Sequence, residues 1–147
     1  MSLNDTLMQD MKTAMKAKDK EALTTIRSLK AAVMNYKIKV GHDLTSDDEL
    51  TVLSSALKQR KESLEEFTKA GRDDLINQTK NEMKLIEKYM PKQMSKEELE
   101  ETVEETIKEV GASSKKDLGK VMQALMPKIK GKADGKAASS IVGKKLN

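Results

Sequence analysis

Few residues in this chain of 147 have side chains suited to chemistry. The only histidine, His42, lies in the sequence GHDLTSDDEL. Histidine titrates near neutral pH and can pass a proton. His42 has glycine and aspartate as neighbours, the setting of a structural or solvated loop residue, and no cysteine or second histidine exists to act with it. The absence of cysteine removes disulfides, thiolate nucleophiles and thiolate metal ligands. Ser113 and Ser114 precede Lys115, and a serine beside a lysine is one way to activate a hydroxyl. A helix cap followed by a surface lysine accounts for the same residues. The glutamates of residues 97–109 point to several faces of one helix, as on a solvated helix. The chain has no G-x-x-x-x-G-K-[ST] phosphate loop, no G-x-G-x-x-G fingerprint and no ligand-spaced cluster for a metal. The expectation is therefore no catalytic residue, no metal and no cofactor.

Binding is the chemistry that remains. Residues 111–135, GASSKKDLGKVMQALMPKIKGKADG, hold four of the seven glycines, a proline and a run of lysines. Over residues 111–147, nine lysines stand against two aspartates, a net of +7, whereas residues 92–110 net −4 from three lysines and seven glutamates. A basic end of this kind favours a polyanion, and a solvated lysine-rich surface has the same composition. Lys120, Lys128, Lys130 and Lys132 flank a short helix and the turn after it. Gly131 and Gly135 clear space near the start of the last helix, where backbone N–H groups favour anions. Asp134 opposes an anion there and reads as that helix's cap. The region has no Phe, Tyr or Trp, whereas proteins that read unpaired bases use aromatic stacking platforms. A nucleic-acid partner would thus be folded, double-helical RNA held by its backbone, with a strong salt dependence.

The elements that position these residues are all helical. Apolar residues recur every three or four positions, and no segment alternates with the period of a strand. The first helix covers residues 3–17, with Ser2 as cap. The second covers residues 20–40, from Asp19 to a left-handed Gly41. Ser46 with Glu49 predicts a capping box for a third helix running to Ala70, with Arg60 in its apolar seam. The fourth helix covers residues 73–90 and stops at Pro91. Residues 91–95 form a boundary. Ser95 with Glu98 opens the fifth helix, which ends at Gly111. Ser114 with Asp117 opens the sixth, ended or kinked by Pro127, and Asp134 caps the seventh. The fold class is all-α, an antiparallel bundle of about four helices (residues 1–91) followed by a small three-helix domain (residues 95–147).

The stretch GASSKKDLGKVMQALMPKIKGKADGK resembles the tail signature of the GatB/YqeY family. AGRDDL at residues 70–75 and IEKYMPKQMSKEEL at residues 86–99 fit as well, so the resemblance covers nearly the whole chain. It implies a larger helical part followed by a three-helix tail. In the B subunit of the glutamine-dependent tRNA amidotransferase, a similar tail follows the catalytic cradle and engages the tRNA elbow. The cradle and the glutaminase subunit have no counterpart here, and carbon–nitrogen ligase activity attaches to the family only through that association. Gly119, Lys120, Lys128, Lys130, Gly131, Lys132, Asp134 and Gly135 match the family's tail. Relatives often carry Arg where Lys132 stands; lysine keeps the charge and loses the bidentate fork.

The leading expectation is a non-catalytic tRNA-binding accessory module. Its RNA contacts come from Gly119, Lys120, Lys128, Lys130, Gly131, Lys132, Gly135 and Lys136. The alternatives are a protein-interaction module using helices one, three and four, and a component of a carbon–nitrogen ligase with glutamine as amido-N-donor. No apolar run is long enough for a membrane span, and the N-terminal MSLNDTLMQDMK lacks the pattern of a secretory signal. Together with the missing cysteines, these features give the expectation of a cytoplasmic protein.

Overall fold

The computed structural model describes residues 2–146. The described residues form seven α-helices and one 3₁₀ turn, with no strand. The chain divides between Met90 and Pro91 into two compact units.

The first unit contains α1 (Leu3–Lys16), α2 (Lys20–Val40), α3 (Ser46–Ala70) and α4 (Asp73–Glu87). The short connections make neighbours antiparallel: α1 packs on α2, α3 packs on α4, and α2 joins the two pairs. Leu7, Ile26, Leu29, Leu53 and Ile86 are fully enclosed at the centre. Burying a Leu or Ile side chain contributes about 1.5–3 kcal/mol, so this shared core is what fixes the helices. Ser2 and Asp19 cap α1 and α2 by accepting from Asp5 N and Ala22 N. Gly41 and Gly71 end α2 and α3 with left-handed φ of 75° and 68°. Lys18, in the α1–α2 corner, has φ 56° without being glycine.

Two local expectations change, and the surroundings of Arg60 become specific. The cap of α3 is Thr45, whose hydroxyl accepts from Asp48 N at 3.1 Å while Asp48 Oδ2 accepts from Thr45 N at 3.0 Å. The box thus sits one residue upstream of Ser46 and Glu49. Glu49 Oε2 instead accepts from Leu3 N at 2.6 Å, capping another helix. Next, α4 ends at Glu87 and not at Met90. The N–H groups of Lys88, Tyr89 and Met90 bond three residues back, to Leu85, Ile86 and Glu87, because Pro91 disfavours the α region at Met90. The Tyr89 hydroxyl donates to Asp10 Oδ2, tying this tightened turn to α1. Burial and the Asp10 carboxylate push the phenol above its ordinary range. Finally, Arg60 settles inside the first unit: its guanidinium donates to Ser28 Oγ at 3.1 Å and stands 3.5 Å from Glu82 Oε2.

The second unit contains α5 (Lys96–Val110), the 3₁₀ turn Lys115–Asp117, α6 (Leu118–Ile129) and α7 (Gly135–Lys145), all three α-helices in mutual contact. Val103, Val121, Leu125, Ile129, Ala138 and Val142 are fully buried, and no aromatic residue takes part. Ser95 caps α5 by accepting from Glu98 N at 3.1 Å. Ser114 makes no cap bond; the 3₁₀ turn leads directly into α6. Pro127 lies inside α6, which continues to Ile129. The buried Ile129 holds that last turn on the core, and Lys130 N still donates to Met126 O at 3.0 Å.

Candidate nucleic-acid interface

The lysines of the basic stretch differ in what surrounds each ammonium. Lys128 lies on the flank of α6 toward α5. Its Nζ donates to Glu109 Oε2 at 2.7 Å and to the buried Thr106 hydroxyl at 3.1 Å. That hydroxyl donates in turn to Thr102 O at 2.8 Å. Lys128 is therefore engaged inside the unit. Lys145 is similar, donating to Glu104 Oε1 at 2.6 Å. This bond and the lysine's charge hold the Glu104 carboxyl below the usual carboxylate range. The acidic α5 thus captures two of the nine lysines. Lys130 is half-buried and makes an interaction of its own.

Lys120, Lys132 and Lys136 are exposed, and no side-chain bond joins them to another described residue. Lys120 is on the outer face of α6, Lys132 in the α6–α7 turn and Lys136 in the first turn of α7. The turn that carries Lys132 is fixed by the chain entering the unit. Met94 N donates to Lys132 O at 2.8 Å, and Gln93 Nε2 donates to Gly131 O at 2.7 Å. Its backbone is thereby held while the Lys132 side chain projects outward. Lys115 and Lys116, in the 3₁₀ turn, and Lys144, near the end of α7, are exposed too. Sequence reasoning counted their charge without placing them in the site.

The glycines sort differently from their sequence reading. Gly131 is buried with φ 73°, and the N–H groups of Lys132 and Ala133 both return to Ile129 O, so it reverses the chain after α6. Gly135 faces Met126, whose Cε would be 3.4 Å from an added Cβ. Gly119 lies exposed in the first turn of α6 with nothing near an added Cβ. A glycine inside a helix costs about 1 kcal/mol relative to alanine, so packing does not require glycine there, whereas close approach of a partner would. Asp134 caps α7, accepting from Lys136 N at 3.3 Å.

Little else in the described residues suits catalysis. His42 is exposed, with Nδ1 2.8 Å from Asp43 O. Asp117 Oδ2 accepts from Ser113 N at 3.0 Å, and neither serine hydroxyl bonds to Lys115. No group of three or more His, Asp or Glu side chains could hold a metal ion among the described residues. No described helix is long and apolar enough to cross a membrane.

Comparison with known proteins adds a family. A family model described as Yqey-like protein matches residues 4–146. Over 142 residues the chain is 31% identical to "Altered inheritance of mitochondria protein 41, mitochondrial" of Pyrenophora tritici-repentis, covering 95% of this chain and 76% of that protein. Proteins of the same name from Eremothecium gossypii and Kluyveromyces lactis are 42% and 39% identical over 88 and 84 residues. These two alignments take in 56% of this chain and 46% and 45% of the relatives, so the chain matches about half of their length. These relatives are named as mitochondrial proteins, which overturns the cytoplasmic expectation. The physical reason is that missing cysteines suit any reducing compartment, and the lack of an apolar run does not choose among compartments.

Proposed function

The chain belongs to the YqeY-like family, and from that premise we propose that it is a non-catalytic accessory module that holds structured RNA, with tRNA as the expected species. The observation that carries this reading is the trio Lys120, Lys132 and Lys136, exposed on a unit whose acidic helix already takes Lys128 and Lys145. Unengaged ammonium groups around a fixed turn suit phosphates, because each neutralised phosphate releases counterions. The second unit contains no aromatic side chain on which a base could stack, so the reading favours the backbone and shape of a helix over unpaired bases. Gly119 gives room for close approach beside Lys120.

The test is fluorescence anisotropy with unmodified tRNA at two salt concentrations, beside a single-stranded homopolymer and an acidic polypeptide. Tighter binding to tRNA than to either control, weakening steeply with salt, is expected. Changing Lys120, Lys132 and Lys136 together to alanine should lower the salt slope by roughly three, about one per lost phosphate contact. The same change at Lys12, Lys16 and Lys18 should leave tRNA affinity within about twofold, since no phosphate contact is removed. Equal binding of tRNA and the acidic polypeptide would end the reading.

A further inference from the structure

The first unit carries a second basic surface, on the α1–α2 hairpin. Met8 and Met15 on α1 are 41% and 53% exposed, and Met34 and Ile38 on α2 are 64% and 74% exposed. At 100° per residue, Met8 and Met15 fall on one flank of α1, about a quarter-turn from the buried Leu3, Leu7 and Ala14. Met34 and Ile38 fall on the corresponding flank of α2 relative to Ile26 and Val33. In an antiparallel pair these two flanks turn to the same side. The contacts with α3 and α4 leave by the opposite flanks, through Asp10 to Tyr89 and Ser28 to Arg60. The four apolar side chains therefore share the side of the hairpin that α3 and α4 do not cover.

The charges around these residues are mostly positive. Lys12 on α1 and Lys20 and Arg27 on α2 lie on the same flanks, and none forms an ion pair with a described residue. Of the carboxylates in residues 3–40, Asp10 receives the Tyr89 hydroxyl, Asp19 caps α2, and Glu21 is on the α2 flank toward α3. Asp5 lies in the first turn of α1, about a turn from Met8. An apolar strip edged by unpaired cations complements an apolar strip edged by carboxylates. Methionine suits such a contact because its unbranched thioether adapts to the partner's shape.

We infer that this side of the α1–α2 hairpin docks an acidic amphipathic helix of a partner protein, with its apolar stripe on Met8, Met15, Met34 and Ile38 and its carboxylates toward Lys12, Lys20 and Arg27. RNA fits less well, because the exposed centre is aliphatic and offers phosphate nothing. A lipid surface also fits less well, because the strip lacks the Trp and Phe that anchor interfacial helices. The surface belongs to the first unit and is separate from the lysines proposed for RNA.

Methionine methyl NMR on the whole protein tests it. The probe is a synthetic helical peptide with leucines at i, i+4 and i+7 and glutamates on both edges. The controls are a scrambled peptide, a lysine-edged version, vesicles of mixed zwitterionic and anionic phospholipid, and tRNA. The acidic helix should give saturable shifts at the Met8, Met15 and Met34 methyls with Met122 and Met126 unmoved. Ile38→Glu should weaken it at least tenfold, and so should Lys12→Glu with Arg27→Glu, all exposed sites in the first unit, whose folding is checked by the signals of Met11 and Met83, packed against that unit's core. No saturable shift, equal binding of the scrambled or lysine-edged peptide, or shifts at these methyls with vesicles or tRNA alone would each overturn the inference. Loss of tRNA binding in the Lys120, Lys132 and Lys136 variant would leave it standing.

Discussion

Residues 3–40 of the first unit set eight cations against four carboxylates, and the second unit sets twelve lysines against nine. The difference in excess matters less than where the carboxylates lie. In the second unit seven of the nine belong to one helix, α5, and two of these draw Lys128 and Lys145 inward. Of the remaining lysines, Lys120, Lys132 and Lys136 each follow a glycine in sequence. In the α1–α2 hairpin Asp5 is the one carboxylate near the exposed side, and the cations there border methionines and an isoleucine. Similar charge counts thus produce two surfaces of different chemical character. Bare cations around a fixed turn suit phosphate, and cations around an apolar strip suit another amphipathic helix.

The largest expected effect breaks one region and spares the other. Leu125→Ala empties a fully buried site in the core of the second unit and should cost about 2–5 kcal/mol in denaturant unfolding. It should abolish tRNA binding and leave the Met8 and Met34 methyl response to the acidic peptide in place. Loss of both responses would show that the two surfaces are not separable.

A smaller effect sharpens the internal pairing. Lys128→Met removes one partner from Glu109, and the lysine's side chain is 34% exposed. With solvent screening, the loss should be about 1 kcal/mol or less. A Lys128→Met, Glu109→Gln double-mutant cycle measures the coupling; a value of zero would remove the pair from the account. In the hairpin corner, Lys18→Gly should stabilise by up to about 1 kcal/mol, because a lysine at φ 56° bears a left-handed cost that glycine does not. Thermal unfolding reads this directly, and a fall in melting temperature would contradict it.

The smallest effect is one of pH. Lys145 holds the Glu104 carboxyl below its ordinary range. Its contribution is therefore fully present above the unfolded carboxylate pKa and fades as pH falls through the folded value. Glu104→Gln should flatten that acid limb slightly and leave stability unchanged at the lowest pH. The carboxyl is exposed, so the change should be near the limit of calorimetric detection.

Helix spacing was legible in the residues because each helix repeats its apolar positions over several turns. What escaped was tertiary. Asp47, Asp48 and Glu49 follow one another, so the sequence could not choose between a box starting at Thr45 and one starting at Ser46. The choice depends on Glu49 reaching Leu3 N, 46 residues away in sequence. Lys128 resembled its neighbours because Thr106 and Glu109 lie on another helix, 22 and 19 residues upstream. The overrun of α6 past Pro127 depended on the burial of Ile129, which outweighs one missing hydrogen bond near a helix end. The hairpin surface was hidden for a related reason. Met8 and Met15 share the spacing of Leu3, Leu7 and Met11 and so look like core residues, until α1 is seen to bury Leu3, Leu7 and Ala14.

The most direct measurement sets two lysines of the same stretch against each other. Lys128→Gln and Lys132→Gln are titrated with tRNA over a range of salt concentrations. The account predicts that Lys132→Gln lowers the salt slope by about one while Lys128→Gln leaves slope and affinity nearly unchanged, because its ammonium already has Glu109 and Thr106 as partners. A larger loss at Lys128 than at Lys132, or no loss at either, would contradict it.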